Sequence, residues 1–192
     1  MPPRGRLFVI SGPSGVGKGT VVRRLLEARP DLVFSVSYTT REPRPGEVDG
    51  VHYRFVSDAE FDAMIQAGGF LEWAQLYGGH RSGTPAAEVE AALADGRDVL
   101  LEVDVQGAGS VRRRVGDAVL VFLRPPSEEE LARRLRARGT EEGPDLERRL
   151  AEARREIAEA GGFDHEVVND EVGAAVAEVL GIIGAGQEGE ST

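Results

Sequence analysis

Cysteine is absent from this 192-residue chain, which rules out disulfides, thiolate metal sites and a thiol nucleophile. Three scattered histidines, His52, His80 and His165, offer no set of ligands for a structural zinc. No apolar run approaches the length needed to cross a bilayer, and the first residues, Met-Pro-Pro-Arg-Gly-Arg, lack the apolar segment of a signal peptide. The expectation is a cytoplasmic protein without membrane attachment. Lysine is almost absent too: Lys18 stands alone against 22 arginines. Positive charge is in deficit overall, with a formal net charge of −10, so general affinity for nucleic acid or anionic membrane is not expected. An anionic ligand must then be held by a local cluster of positive residues.

What is present is glycine at informative places. Directly after the apolar run Leu7, Phe8, Val9 and Ile10 come Gly12, Pro13, Ser14, Gly15, Val16, Gly17, Lys18, Gly19 and Thr20, followed by a helix-like segment. Glycines let the backbone fold into a nest of inward N–H groups, and the next helix adds its positive end. Strand, glycine-rich loop and helix in that order form a phosphate-binding loop. Lys18 supplies a compact ammonium where the rest of the chain uses planar guanidinium groups. The spacing departs from the usual pattern at one position. Gly19 stands where a hydroxyl should reach a metal, and Thr20 comes one residue later. Either Thr20 serves a Mg²⁺ ion, or the ion rests on phosphate oxygens and water.

Further along, Val21, Val22, Leu25, Leu26 and Ala28 fall at helical spacing before Pro30. Residues 33–38 alternate as one strand, and 51–56 read as another. Residues 57–60 form a capping box for a helix carrying Phe61, Met64 and Ile65. Thr84-Pro85 reads as N-cap and first-turn proline of a further helix ending at Gly96. Residues 99–104 and 119–123 are buried-type strands, and residues 127–130 form a second capping box. Leu146, Leu150, Ala153 and Ile157 share one face of a highly charged helix. A short strand at 165–170 and a helix to about Ile183 precede a Gly/Glu/Ser tail, 185–192, expected to be disordered.

Strands alternating with helices predict an α/β fold with a parallel central sheet covered on both faces. The alternation is disturbed between about 35 and 95, which suggests an inserted subdomain. The polar stretch from Arg138 to Pro144 suggests a mobile lid.

Several side chains ask for a second phosphorylated ligand. Arg41 and Arg44 lie three apart in a turn-rich loop, where they either grip a phosphate by planar forks or are solvated surface charge. Arg138 and Arg149 flank the lid, where they either neutralise charge on a transferring phosphoryl group or belong to a charged helix surface. Glu72 and Asp104 are carboxylates beside apolar runs, which sets substrate recognition against edge-of-sheet salt bridging. Asp104-Val105-Gln106-Gly107 fits the Asp-x-x-Gly of regulatory GTPases. Their Asn-Lys-x-Asp reader needs a second lysine, and the chain has none.

The phosphate loop, the segment Ser35-Val-Ser-Tyr-Thr-Thr-Arg41-Glu-Pro-Arg44-Pro-Gly-Glu-Val-Asp-Gly50, Phe70-Leu-Glu-Trp-Ala74, Glu102-Val-Asp-Val-Gln-Gly107, Arg136-Ala-Arg-Gly-Thr-Glu141 and Val167-Val-Asn-Asp170 together closely resemble guanylate kinase. The resemblance runs from about Gly5 to Ile183. It implies ATP + GMP (and dGMP) giving ADP + GDP, with Mg²⁺, on a phosphate-loop three-layer α/β/α domain. The core would span about 4–34, 96–132 and 162–184, a GMP-binding subdomain about 35–95, and a short helical lid about 133–161. It further implies that residues 12–20 and Lys18 hold the ATP phosphates, with Asn169 near the adenine. Arg41, Arg44 and Tyr53 would bind the GMP phosphate, Ser37, Glu72, Thr84 and Asp104 the guanine, and Arg138 and Arg149 would come from the lid. The rivals are a kinase for another nucleoside monophosphate and a non-catalytic protein-binding module of the same fold. One departure from the family is a missing tyrosine beside Gly83, with Arg81 or Ser82 as candidate substitutes.

Overall fold

The computed structural model describes residues 3–76, 79–137 and 144–185. Arg138, the lid loop before Pro144, Tyr77 and the tail beyond Ala185 lie outside the described residues. Within them the order is β1 (Leu7–Ser11), α1 (Lys18–Ala28), β2 (Val33–Phe34), β3 (Tyr38–Thr39), β4 (Arg54–Phe55), α2 (Asp58–Gln66), β5 (Phe70–Gln75) and β6 (Arg81–Pro85). Then come α3 (Ala86–Ala94), β7 (Val99–Glu102), α4 (Val105–Arg114), β8 (Val119–Arg124), α5 (Glu128–Ala137), α6 (Pro144–Ala158), a 3-10 turn (Ala160–Gly162), β9 (His165–Val168) and α7 (Val172–Ala185). The result is an α/β fold whose main-sheet strands run parallel. The chain divides into two compact units. One comprises the described residues of Met1–Leu7, Asp31–Leu101 and Gly109–Ala118, the other those of Phe8–Pro30, Glu102–Ala108 and Val119–Thr192.

In the second unit β1 pairs with β8 and β8 with β9, all parallel, in the registers Phe8↔Val119 and Val121↔His165. Val9, Ile10, Val121, Phe122 and Leu123 are completely buried, as strands covered on both faces require. Helix α1 packs with α7, burying Val21, Val22 and Leu25 from one and Val176, Val179 and Ile183 from the other. Helices α5 and α6 close over Leu131, Leu135, Leu146, Leu150 and Ala153, whereas Ile157, the fourth residue of the face read from the sequence, packs against Val105, Phe122 and Ala160. Each such leucine contributes about 1.5–3 kcal/mol by leaving water.

In the first unit β2 pairs with β7, and a smaller sheet runs β4-β3-β6-β5 with β6 antiparallel to both neighbours. Its centre is aromatic. Phe61 of α2 stacks on Phe70 of β5 at 4.5 Å, and Tyr38 and Trp73 meet this pair edge-on. Ser57 accepts from the Glu60 N–H while the Glu60 carboxylate takes the Ser57 N–H, so the first capping box forms in full.

Four local expectations are corrected, and one helix is added. The single strand expected at 33–38 is two: β2 belongs to the parallel sheet, whereas β3 belongs to the small one. Residues 51–56 give only the two-residue β4, because 49–53 turn back on themselves with Gly50 N donating to Tyr53 O. Pro85, not Thr84, stands at the N-cap position of α3, without a side-chain cap bond, and the Thr84 hydroxyl goes to Glu72 instead. The second capping box is half made, since Ser127 accepts the Glu130 N–H but the Glu130 carboxylate turns to Arg133 and Arg134. Helix α4 has no counterpart among the expected elements, hidden by Gly107, Gly109 and three successive arginines around a narrow stripe of Val105, Ala108 and Val111.

Candidate active site

The glycine-rich loop lies between β1 and α1, as its sequence dictates. Gly12 takes φ +141°, and a Cβ there would sit 2.3 Å from the Leu123 carbonyl oxygen, so only glycine lets the loop leave the sheet this way. The Val16 N–H closes a turn on Pro13 O, and helix α1 starts at Lys18. Lys18 Nζ donates to Gly12 O at 2.5 Å and to Pro13 O at 3.3 Å, folded over the loop it is expected to serve.

Three side chains of the same unit brace this loop from outside. Asn169, 1% exposed at the end of β9, donates from Nδ2 to Val16 O at 2.8 Å, and its Oδ1 has no hydrogen-bond partner among the described residues. Arg134 of α5, held by Glu130, donates to the carbonyls of Val16, Asn169 and Asp170. Arg149 of α6 reaches the Ser14 hydroxyl at 3.3 Å. Two turns further along α6, Glu156 is half-buried beside the loop. Burial pushes its carboxyl up, Asp104 and Glu152 add to that, and Lys18 and the Ser14 N–H pull the other way. Asp104 itself takes the Gly107 N–H at 2.6 Å and opens α4.

The first unit gathers the other candidates. Arg41 lies over the Tyr53 ring at 4.8 Å, and the Glu47 carboxylate bridges the Arg41 guanidinium and the Arg44 N–H. Glu72 and Thr84 are paired directly across β5 and β6, with the Thr84 hydroxyl donating to Glu72 Oε1 at 2.6 Å. Both are buried, at 8% and 1% exposure. Ser37 offers its carbonyl to Arg54 N. Arg81 is not a free substitute for the missing tyrosine, because it pairs with Asp58 and Asp62 and stacks on Phe61.

Sequence reasoning passed over Arg134, Glu156 and Glu47. The first stands four residues after Glu130, the second seven after Arg149, and the third closes the Arg41/Arg44 loop. Those spacings were the available signals.

An α/β fold with a parallel sheet and a phosphate loop after its first strand defines a phosphate-loop nucleotide-binding protein. The guanylate kinase family model matches residues 4–185, and the chain belongs to the guanylate kinase family. Guanylate kinase of Nocardia farcinica is 59% identical over 180 residues, covering 93% of each chain. That of Gloeobacter violaceus is 56% identical over 177 residues, covering 92% of this chain and 86% of its own. The crystal structure of guanylate kinase from Anaplasma phagocytophilum superposes with a TM-score of 0.81 at 33% identity, covering 97% of this chain and 88% of that one.

Proposed function

We propose that the protein transfers the γ-phosphoryl group of ATP to GMP, and to dGMP, giving ADP with GDP or dGDP in the cytoplasm. The observation that carries this reading is the intact Lys18 loop in a chain of the guanylate kinase family. An intact loop also speaks against a non-catalytic binding module.

In this reading the N–H groups of residues 12–20 and Lys18 hold the ATP phosphates. Lys18 exchanges its bonds to Gly12 O and Pro13 O for phosphate oxygens. Asn169 offers its unpartnered Oδ1 to the adenine amine. Arg41, Arg44 and Tyr53 take the GMP phosphate, while Glu72, Thr84, Ser37 and Asp104 recognise guanine. Arg138 and Arg149 neutralise charge on the phosphoryl group in flight. Residues 35–95 act as the acceptor subdomain and 133–161 as the lid. No covalent enzyme intermediate is needed, since alignment and charge neutralisation suffice.

The donor set fits a magnesium ion that is carried chiefly by the nucleotide. No group of three His, Cys, Asp or Glu side chains gathers as a metal site among the described residues. The oxygens near the loop's end are the Thr20 hydroxyl and Glu102, whose Oε2 lies 3.8 Å from where a Gly19 Cβ would stand. Thr20 would hold the ion directly, and Mg²⁺ when bound supplies charge neutralisation between phosphate oxygens.

ADP release measured with Mg-ATP and each of GMP, dGMP, AMP and dTMP tests the reading. Turnover with GMP and dGMP is expected, and Lys18→Met should lower it by orders of magnitude at an unchanged Tm. Rapid turnover of AMP or dTMP with none of GMP overturns the assignment.

A further inference from the structure

The loop that carries Arg41 and Arg44 ends in a tight turn. Glu47 N donates to Arg44 O at 3.0 Å, Pro45 fills the second position, and Gly46 takes φ +87° at the third, which makes a type II turn. The turn returns the Glu47 side chain across its own loop. Glu47 Oε2 accepts from Arg44 N at 2.8 Å and from Arg41 Nη1 at 2.6 Å, while Oε1 accepts from Arg41 Nη2 at 2.6 Å. The second hydrogen of Arg41 Nη1 goes to Glu42 O at 3.0 Å. The pair is sheltered, with 15% of the Arg41 side chain and 18% of the Glu47 side chain exposed. Tyr53 and Phe55 floor the guanidinium at 4.8 and 5.6 Å.

A guanidinium has five N–H donors in a fixed plane. Glu47 takes the end edge, and Glu42 takes the remaining Nη1 hydrogen. Nε–H and the outer Nη2–H, the side edge, are not among these bonds, and the remaining side-chain hydrogen bond of Arg41 is to Tyr53, itself read as a ligand of the GMP phosphate. That edge is itself a two-pronged fork suited to an oxyanion. Glu47 therefore spends one edge of Arg41 to fix the direction of the other. We propose that Glu47 is the positioning residue of the acceptor site, locking Arg41 so that its side edge meets the monophosphate of the incoming nucleotide. The inference rests on the reading of Arg41 as a ligand of that phosphate. It deepens that reading by assigning a task to the last residue of the Thr-Thr-Arg-x-Pro-Arg-x-Gly-Glu segment.

A carboxylate this close has a competing effect, since its negative charge also repels phosphate. The two effects predict opposite signs. If positioning dominates, Glu47→Gln raises KM for GMP. If repulsion dominates, KM falls.

The test is a double-mutant cycle in the full chain, with Glu47→Gln, Arg41→Met and the double variant, reading KM and kcat for GMP and for ATP together with Tm. Glu47→Gln is expected to raise KM for GMP about tenfold or more, as for loss of a charged hydrogen-bond pair, with KM for ATP nearly unchanged and a fall in Tm from the stability the ion pair supplies. In the Arg41→Met background the same substitution should add less than about twofold, because its effect runs through Arg41. Glu47→Asp serves as a second variant and should show the same loss of effect without Arg41. A fall in KM for GMP, an equal rise in KM for ATP, or effects that multiply in the double variant would each overturn the role of Glu47. A normal KM for GMP in Arg41→Met would instead overturn the reading of the acceptor site.

Discussion

A buried carboxylate is costly to leave without partners, and Glu72 is a buried carboxylate that accepts from the Thr84 hydroxyl at 2.6 Å. Thr84 donates to Oε1, and in the proposed reading the donors of the ligand meet the same carboxylate. Guanine brings two, N1–H and the N2 amine, side by side. Adenine presents an acceptor at N1, so in the proposed reading the same carboxylate would repel it. Glu72→Gln keeps the shape but swaps one acceptor for a donor. It should raise KM for GMP by about ten- to a hundredfold, the range for an unpaired polar group in a site, while KM for ATP stays put. Equal losses for both substrates, measured by steady-state kinetics, would count against a guanine contact. Glu72 was legible in the sequence as a carboxylate beside apolar residues, but its partner was not. The Glu72–Thr84 bond depends on strand register across 12 residues, including a bulge between Phe70 and Glu72.

Elements with local punctuation were legible, and those that depend on distant partners were not. Helix α2 declares itself through the reciprocal bonds of Ser57 and Glu60, which involve residues three apart. Ser57→Ala should cost about 1 kcal/mol of stability by leaving an N–H without its cap. For a chain of this length that is about 2–4 °C in Tm, readable by calorimetry, with kcat essentially unchanged. A larger loss would mean that α2 also anchors the first unit through Arg81, whose partners Asp58 and Asp62 both lie on it. By contrast, the split of residues 33–39 between two sheets has no local mark. Val33 and Phe34 find β7, Tyr38 and Thr39 find β6, and alternation alone cannot say which pairing wins. Helix α4 escapes for another reason, since glycines and arginines outnumber its apolar residues.

For the whole molecule, titration is governed by carboxyls held below their ordinary value near 4.5. Arg41 and the Arg44 N–H hold Glu47 at about 2, and Arg133 and Arg134 hold Glu130 at about 2. Glu60, Glu128, Glu129 and Glu171 are lowered as well. A depressed carboxyl binds its proton more readily in the unfolded chain, so the stability it supplies is full above about 4.5 and fades as pH falls toward about 2. Glu156 has the opposite sign. Its raised pKa favours the folded state at low pH, and that contribution is lost as pH rises through the elevated value. Among the described residues the lowered groups outweigh this raised one in direction, although solvent screens the exposed ones. Tm measured from pH 7 to pH 2 should therefore hold a plateau and then drop below about 4.5. A Tm that rose on acidification would place Glu156 in control. The α/β class and the phosphate loop were legible at this scale because strand, glycines and Lys18 are contiguous. The division into two units was not, since its boundaries pass through β1 and β7.

The solitary ammonium folded over Gly12 O and Pro13 O has a spectroscopic consequence. Lysine-selective isotope enrichment of this chain introduces one labelled side chain and no others. Its signal needs no assignment and carries no overlap. Its signal reports the surroundings of the Gly12 and Pro13 carbonyls. The protein thus holds its own single-residue probe inside its glycine-rich loop.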